Sequence, residues 1–303
     1  MKTDAARFED LNKTPIFYDV SDFQGTIGPS RTVAFRLPVG VTHLRNALHF
    51  TDGGVDSTEL QILTDVATII VKVSADQKME MSGLEAIYLS AFWNARQQAN
   101  FDGSAGSYIK QGILNLDYAR ETLLGAVNRN ATAYGMKGQT SMQVEITFTG
   151  GTLTVDGIEM LTEVIDGAEL GRHITIRKNT KTLGNSGLNE IYDLPIDPAT
   201  NMYCIHFANV DKSAHDITHV EILANRTRIV NASTAQLLER SRRLGLYNSY
   251  HASVLSIPFT ARGQNREALP MNMQDLLIRV TTSAANTYNI LMERSEKEPS
   301  RSV

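Results

Sequence analysis

The chain has one cysteine, Cys204, and one tryptophan, Trp93, among its 303 residues. A lone thiol excludes an internal disulfide framework, and it lies in the apolar run Met202 to Ala208, where a small buried hydrophobe is the expected role. No apolar run approaches the ~20 residues that a spanning helix needs. The opening MKTDAARFED has no apolar core of the kind a secretory signal carries, so the expectation is a soluble protein of a reducing compartment. Neither sign of charge dominates: the formal net charge is −4. That balance argues against a surface built to wrap nucleic acid, and no specific nucleic-acid partner is expected.

Catalytic patterns are missing too. There is no G-x-G-x-x-G and no G-x-x-x-x-G-K-[ST], and Gly103-Ser-Ala-Gly106 and Gly184-Asn-Ser-Gly187 are turn sequences rather than nucleophile elbows. His215 and His219 have i,i+4 spacing but bridge a loop-to-strand junction, so a solvated pair is expected rather than a metal site. No His-x-His occurs, which removes the ligand cluster a cupin enzyme needs. No catalytic, cofactor-binding or metal-ligating residue is assigned, and no enzyme activity is expected.

What the chain does contain is a repeat. Thr32-Val-Ala-Phe-Arg-Leu-Pro38 is echoed by Asn189-Glu-Ile-Tyr-Asp-Leu-Pro195, a spacing of 157 (194 − 37). Leu48-His49-Phe50 matches Ile205-His206-Phe207 at 157 (206 − 49), and Ile70 to Val73 matches His219 to Ile222 at 149 (220 − 71). Ser82 with Glu85 and Ser233 with Gln236 both fit the reciprocal capping box that opens a helix, 151 apart (233 − 82). Gly112 to Tyr118 matches Ser253 to Phe259 at 141, and Val144 to Thr147 matches Ile278 to Thr281 at 134. Six matches in one order, with spacings that drift as loop lengths change, make the chain two copies of one unit.

Each unit reads as seven or eight short strands and one helix. Predicted strands in the first are Thr32–Leu37, Thr42–Phe50, Ala67–Ser74, Lys78–Met81, Ile113–Tyr118 and Ser141–Phe148, with a hairpin partner at Thr152–Val155. Its helix covers Ser82–Gln98, where Leu84, Ile87, Tyr88, Ala91, Phe92 and Ala95 share a face that suits core packing. A second short helix is expected within Arg120–Asn130, and Asp156–Leu170 reads as helix or irregular connector. In the second unit strands are expected near 189–194, 202–208, 218–223, 226–230, 252–260, 275–282 and 286–292. Its helix runs from about Thr234 to Leu244 and stops at Gly245. This pattern predicts an all-β fold: two tandem antiparallel jelly-roll sandwiches, each with one short helix. The expected divisions are an N-terminal arm 1–28 outside the repeat, a first jelly roll 29–170, a junction 171–188, a second jelly roll 189–294 and a frayed tail 295–303. Within the arm, Ile16-Phe-Tyr-Asp-Val20 is apolar enough to dock on something.

Charge is segregated around the junction. Six acids and no Lys or Arg lie between Gly138 and Gly171, and then Arg172, Arg177, Lys178 and Lys181 arrive together. They are read either as a membrane-facing basic cluster or as partners of Glu159, Glu163 or Glu169.

A duplicated jelly roll with an arm and no catalytic constellation resembles the double jelly-roll major capsid proteins of tailless icosahedral bacteriophages with an internal membrane, of the corticovirus and finnlakevirus type. The similarity is most specific at Arg177, Asn179, Leu183, Asn185, Gly187 and Glu190 to Pro195, and is traceable from Phe35-Arg-Leu-Pro38 to about Ser295. It implies a structural capsid protein whose homotrimers offer six sandwiches and pack against neighbouring trimers, penton or minor capsid proteins and an internal lipid membrane. It also implies a place in the virion after assembly in the host cytoplasm. No cofactor is implied, and calcium between subunits stays open. The competing reading is a two-domain β-sandwich that binds carbohydrate or a receptor, as in a virus spike or lectin. That reading asks for exposed aromatic loops, whereas Trp93 falls on the predicted core-facing helix.

Overall fold

A computed structural model describes residues 16–20, 23–25, 28, 30–52, 64–93, 101–102, 111–120, 130–149, 155–211, 213–246, 252–260 and 265–297. Two compact units divide between Ile174 and Thr175.

In the first unit, β1 (Ile16–Val20), β2 (Phe23–Gly25), β3 (Thr32–Leu37), β4 (Val41–Asp52), β5 (Val66–Val73) and β6 (Asp76–Met81) precede helix α1 (Gly83–Trp93). After the helix come β7 (Phe101–Asp102), β8 (Gln111–Asp117), β9 (Tyr134–Gly135), β10 (Met142–Phe148) and β11 (Val155–Asp166). One sheet runs β1-β11-β4-β8-β7 and the other carries β6-β5-β10-β3-β2. The second unit has β12 (Arg172–Leu183), β13 (Gly187–Ile191), β14 (Asn201–Asn209), β15 (Ile217–Ala224) and β16 (Thr227–Ser233) before α2 (Thr234–Arg243). It continues with β17 (Val254–Pro258), β18 (Leu269–Pro270), β19 (Leu276–Thr282) and β20 (Asn286–Lys297). Its sheets run β17-β14-β20-β12 and β13-β19-β15-β16.

Counting only the eight principal strands of each unit, both give the same two sheets, 1-8-3-6 and 2-7-4-5. That is the jelly-roll order, realised twice, and the predicted double jelly roll is the fold. The first strand of the first unit is β1, taken from the segment read as an arm outside the repeat. Its five residues pair antiparallel with β11, Ile16 opposite Val164 through Val20 opposite Met160. The first strand of the second unit is β12, which covers most of the segment read as a junction. Asp156–Leu170, read as helix or connector, is mostly the strand β11: Ile158, Met160, Thr162 and Val164 are buried at every second position, a period of two rather than 3.6. The tail expected to fray from Ser295 instead continues in β20 to Lys297, with Ser295 buried. The helix expected within Arg120–Asn130 and the strand at Thr152–Val155 lie almost wholly outside the described residues, as does the end of the first helix beyond Trp93.

Register measures the repeat independently of residue type. Val144 of β10 lies opposite Phe35 and Val71, and Ile278 of β19 lies opposite Ile191 and Ile222. With Val144 and Ile278 equivalent, the spacings become 156 for Phe35 and Ile191, and 151 for Val71 and Ile222 (222 − 71). Met79 and Val230, their next neighbours, are also 151 apart. The spacing of 149 is therefore two residues short. A two-residue slip keeps every side chain on its face, so apolar alternation cannot detect it. The spacing of 157 at Pro38 and Pro195 is one residue long, and there the error shows: it matches the buried Phe35 with Tyr192, which is 77% exposed.

The hairpins β5–β6 and β15–β16 turn over two residues each, Ser74-Ala75 and Asn225-Arg226, again 151 apart. All four have positive φ (48° and 73°, 48° and 64°), the type I′ geometry that matches strand twist. Ser74 Oγ accepts from the Thr140 N–H at 3.2 Å, and Asn225 Oδ1 accepts from the Gln274 N–H at 2.7 Å. Thr140 and Gln274 are themselves 134 apart, the spacing of the strands that follow them. Ala75 and Arg226 have no such side-chain bond to offset a left-handed backbone, which costs a non-glycine residue roughly 1–2 kcal/mol. Ala75→Gly and Arg226→Gly should each stabilise the fold by about 0.5–1 kcal/mol, read as a higher urea midpoint with unchanged slope.

Candidate functional site

The four basic residues singled out at the junction all lie on one strand, β12, and the strand sorts them. Side chains alternate along a strand, so Arg177 and Lys181 share one face while Arg172 and Lys178 share the other. Arg177 Nη2 lies 3.4 Å from Glu296 Oε1, and Lys181 pairs with Asp193. Neither partner is one of the acids expected from the sequence; Glu163 instead lies 3.8 Å from Arg45.

The outer face of the β13-β19-β15-β16 sheet carries an ion-pair ladder. Arg279 Nε donates to Glu190 Oε1 at 2.8 Å and Nη1 to Glu221 Oε2 at 3.2 Å, while Arg228 approaches Glu221 from β16. The Arg279 hydrogen bond, helped by Arg228, holds the Glu221 carboxyl below the usual carboxylate range. In the first unit the position equivalent to Arg279 is Glu145 (279 − 134), which receives both Lys72 bonds at 2.7 Å. The same point on the two copies thus carries opposite charge.

Two buried polar constellations were not legible as such in the sequence. His206 Nδ1 lies 2.7 Å from Ser256 Oγ and Nε2 lies 3.3 Å from Glu293 Oε2, with all three residues at most 2% exposed. Ser256 sits on a paired strand directly opposite His206, so the serine is held in a ladder rather than presented on a turn to a substrate. In the first unit Asp117 accepts from Ser90 Oγ at 2.9 Å and from Arg45, while Asn46 Nδ2 donates to the Tyr118 hydroxyl at 2.7 Å. Burial pushes that phenol well above its ordinary range. The only sequence signal for either was a polar residue inside an apolar strand. His219 bonds Asn231 Oδ1 at 2.7 Å, and among the described residues no three His, Cys, Asp or Glu side chains converge to hold a metal ion.

The paired serines occupy equivalent points, each between the fifth strand and the helix. Ser82 N–H donates to Glu85 Oε2 at 2.8 Å while Glu85 N–H donates to Ser82 Oγ at 3.2 Å. Ser233 N–H donates to Gln236 Oε1 at 2.8 Å and Gln236 N–H returns to Ser233 Oγ at 3.3 Å. The helices they start have different fates. All eleven residues of α1 are buried, including Trp93 at 1% exposure, and it packs on β8, β5 and β6. Of α2 only Leu237 and Ser241 are buried, and Arg240, Arg242 and Arg243 complement its dipole before Gly245 (φ 73°) ends it.

Two complete jelly rolls in tandem define the double jelly-roll class. Solved structures of that class match nearly the whole chain. The major capsid protein P2 from Bacteriophage PM2 superposes with a TM-score of 0.78 at 16% identity, over 95% of this chain and 99% of that one. The Sulfolobus Turreted Icosahedral Virus structure gives 0.69 at 10% identity over 94% and 92%, and the PBCV-1 virus capsid 0.61 at 8% over 93% and 94%. Residues 174–297, the second unit with one residue before it, match the family described as viral coat protein P2 C-terminal domain. No curated protein matches the sequence significantly.

Replacing either capping serine by alanine removes one acceptor from a helix start and should cost about 1 kcal/mol at each site. Equilibrium unfolding of Ser82→Ala and Ser233→Ala tests this, with similar losses expected from both.

Proposed function

We propose that this chain is a structural major capsid protein, assembling as a homotrimer that tiles an icosahedral shell over an internal lipid membrane. One observation carries the reading: two jelly rolls of identical strand order follow one another in a single chain. Three copies then present six similar sandwiches, a near-hexagonal tile whose alternate corners remain chemically distinct. The opposite charges at Glu145 and Arg279 are one such distinction. The match of residues 174–297 to a viral coat protein domain supports the same reading. Neighbouring trimers and penton or minor capsid proteins are its partners, the virion is its place, and the host cytoplasm is where it assembles. A calcium ion between subunits is compatible with this assembly. A lectin-like role finds no aromatic platform in Trp93, which is buried.

Membrane contact, on this reading, is electrostatic. Among the described residues no helix is long and apolar enough to cross a bilayer. Basic side chains near an anionic surface contribute on the order of 1 kcal/mol each, and Lys178, Arg177 and Lys181 supply them from β12.

Two measurements test these statements. Sedimentation or native mass measurement of the purified protein, or of dissociated particles, should give a trimer; a stable monomer or dimer overturns the assembly. Charge reversal of Arg177, Lys178 and Lys181 should abolish salt-sensitive co-sedimentation with anionic vesicles while trimers persist, and unchanged binding removes the strand from the membrane role.

A further inference from the structure

Side chains pointing outward from the β13-β19-β15-β16 sheet of the second unit fall into rows across its strands. Leu188 stands beside Thr281 and His219, and Glu190 beside Arg279 and Glu221. In the next row Leu277 lies opposite Leu223. Tyr192, one residue past β13 and on the same side as Glu190, completes that row. Tyr192 is 77% exposed and Leu188 61%, while Leu277 and Leu223 are half-buried.

The first unit shows what the same frame carries when it is dressed for water. By register, Tyr192 corresponds to Arg36 (192 − 36 = 156), Leu277 to Gln143 (277 − 143 = 134) and Leu223 to Lys72 (223 − 72 = 151). Gln143 lies opposite both Arg36 and Lys72, so the row itself is preserved. Leu188 corresponds to Thr32 (188 − 32 = 156). Four positions that are polar in one copy are therefore apolar in the other. The backbone accepts polar residues there, and an exposed aromatic with three leucines instead marks a surface that another protein covers.

Charge points to which protein. Glu190, Arg279 and Glu221 correspond to Ala34, Glu145 and Ile70. On the three matched strands, the second unit's face thus carries two acids around one arginine. The first unit's face carries two bases, Arg36 and Lys72, around one glutamate. The next strands continue the inversion, with Arg228 on β16 and Glu80 on β6. Each face is opposite in sign to the other, so the two complement one another better than either complements itself. Arg36 also offers a guanidinium and an apolar stem suited to the ring of Tyr192.

We propose that the outer face of the β13-β19-β15-β16 sheet docks on the outer face of the β3-β10-β5-β6 sheet in another copy of this chain. The contact joins unlike surfaces, and such head-to-tail contacts close into rings. It rests on the reading of the chain as a self-assembling capsid protein, and it names the two surfaces that meet.

Sedimentation velocity of the full chain over a concentration series tests it. Tyr192→Arg, Leu277→Gln and Leu223→Lys together give the second face the residues of the first, and should weaken association roughly tenfold or more. Arg36→Glu alone should also weaken it, because it opposes Glu190 and Glu221. Added to the triple variant, Arg36→Glu should recover part of the loss by meeting the new bases. Urea midpoints separate weakened association from misfolding, and Tyr192→Arg alone, at a site 77% exposed, gives the same direction of change without disturbing the core. Association that both Tyr192→Arg and the triple variant leave unchanged overturns the contact while the capsid reading stands. A loss that Arg36→Glu does not rescue overturns the first unit's face as the occupant. A wild type that stays monomeric at every concentration overturns both the contact and the capsid reading.

Discussion

Each sandwich depends on one strand held between two others in fixed register. β10 sits between β3 and β5, and β19 between β13 and β15. Phe35, Val144 and Val71 stand abreast across the first, and Ile191, Ile278 and Ile222 across the second, every one of them buried. A slip of one residue in either central strand would turn its whole apolar row to water and its Glu145 or Arg279 into the core. The charged ladders on the outer faces enforce the same alignment from the other side, because their partners meet only in this register. Hairpin turns, helix starts and the remaining strands take their places relative to that row.

The order of strands was legible because alternation and punctuation survive in a single sequence. Pro38, the Ser82 and Ser233 capping boxes and Gly245 all mark boundaries that backbone geometry imposes locally. What escaped was settled by pairing rather than by local pattern. Ile16–Val20 lay outside the repeat, with no counterpart to mark it as a strand, and only pairing with β11 makes it one. Arg172–Leu183 looked like a junction because polar and charged residues fill it and its burial does not alternate, His173 to Ile176 being buried in succession. The ion-pair partners were equally out of reach: Glu296 meets Arg177 through pairing across 119 residues, whereas the nearer acids Glu159, Glu163 and Glu169 offered themselves by proximity in sequence.

The two copies keep a common frame and differ in what they do with it. Turn residues Ser74 and Asn225 are chemically unlike, yet both accept a backbone N–H from the start of the seventh strand. The helices start with the same reciprocal bonds, but one is enclosed and the other lies open with arginines in its last turn. Divergence has gone into surface and burial, and the hydrogen bonds that set chain direction have stayed. The two units thus share a frame and differ in the surfaces built on it.

The pairing of β1 with β11 also orders events in time. Tyr18 meets Thr162, 144 residues further along the chain (162 − 18). During synthesis the first strand to emerge is thus among the last to be matched, and the edge of β11 that it covers is bare until then. Closing so long a loop is entropically slow, and exposed strand edges are where chains of this architecture join the wrong neighbour. The sheet that holds β1 therefore closes only once β11 has been made, later than the strands of the β10 sheet in the same unit, which end at Phe148.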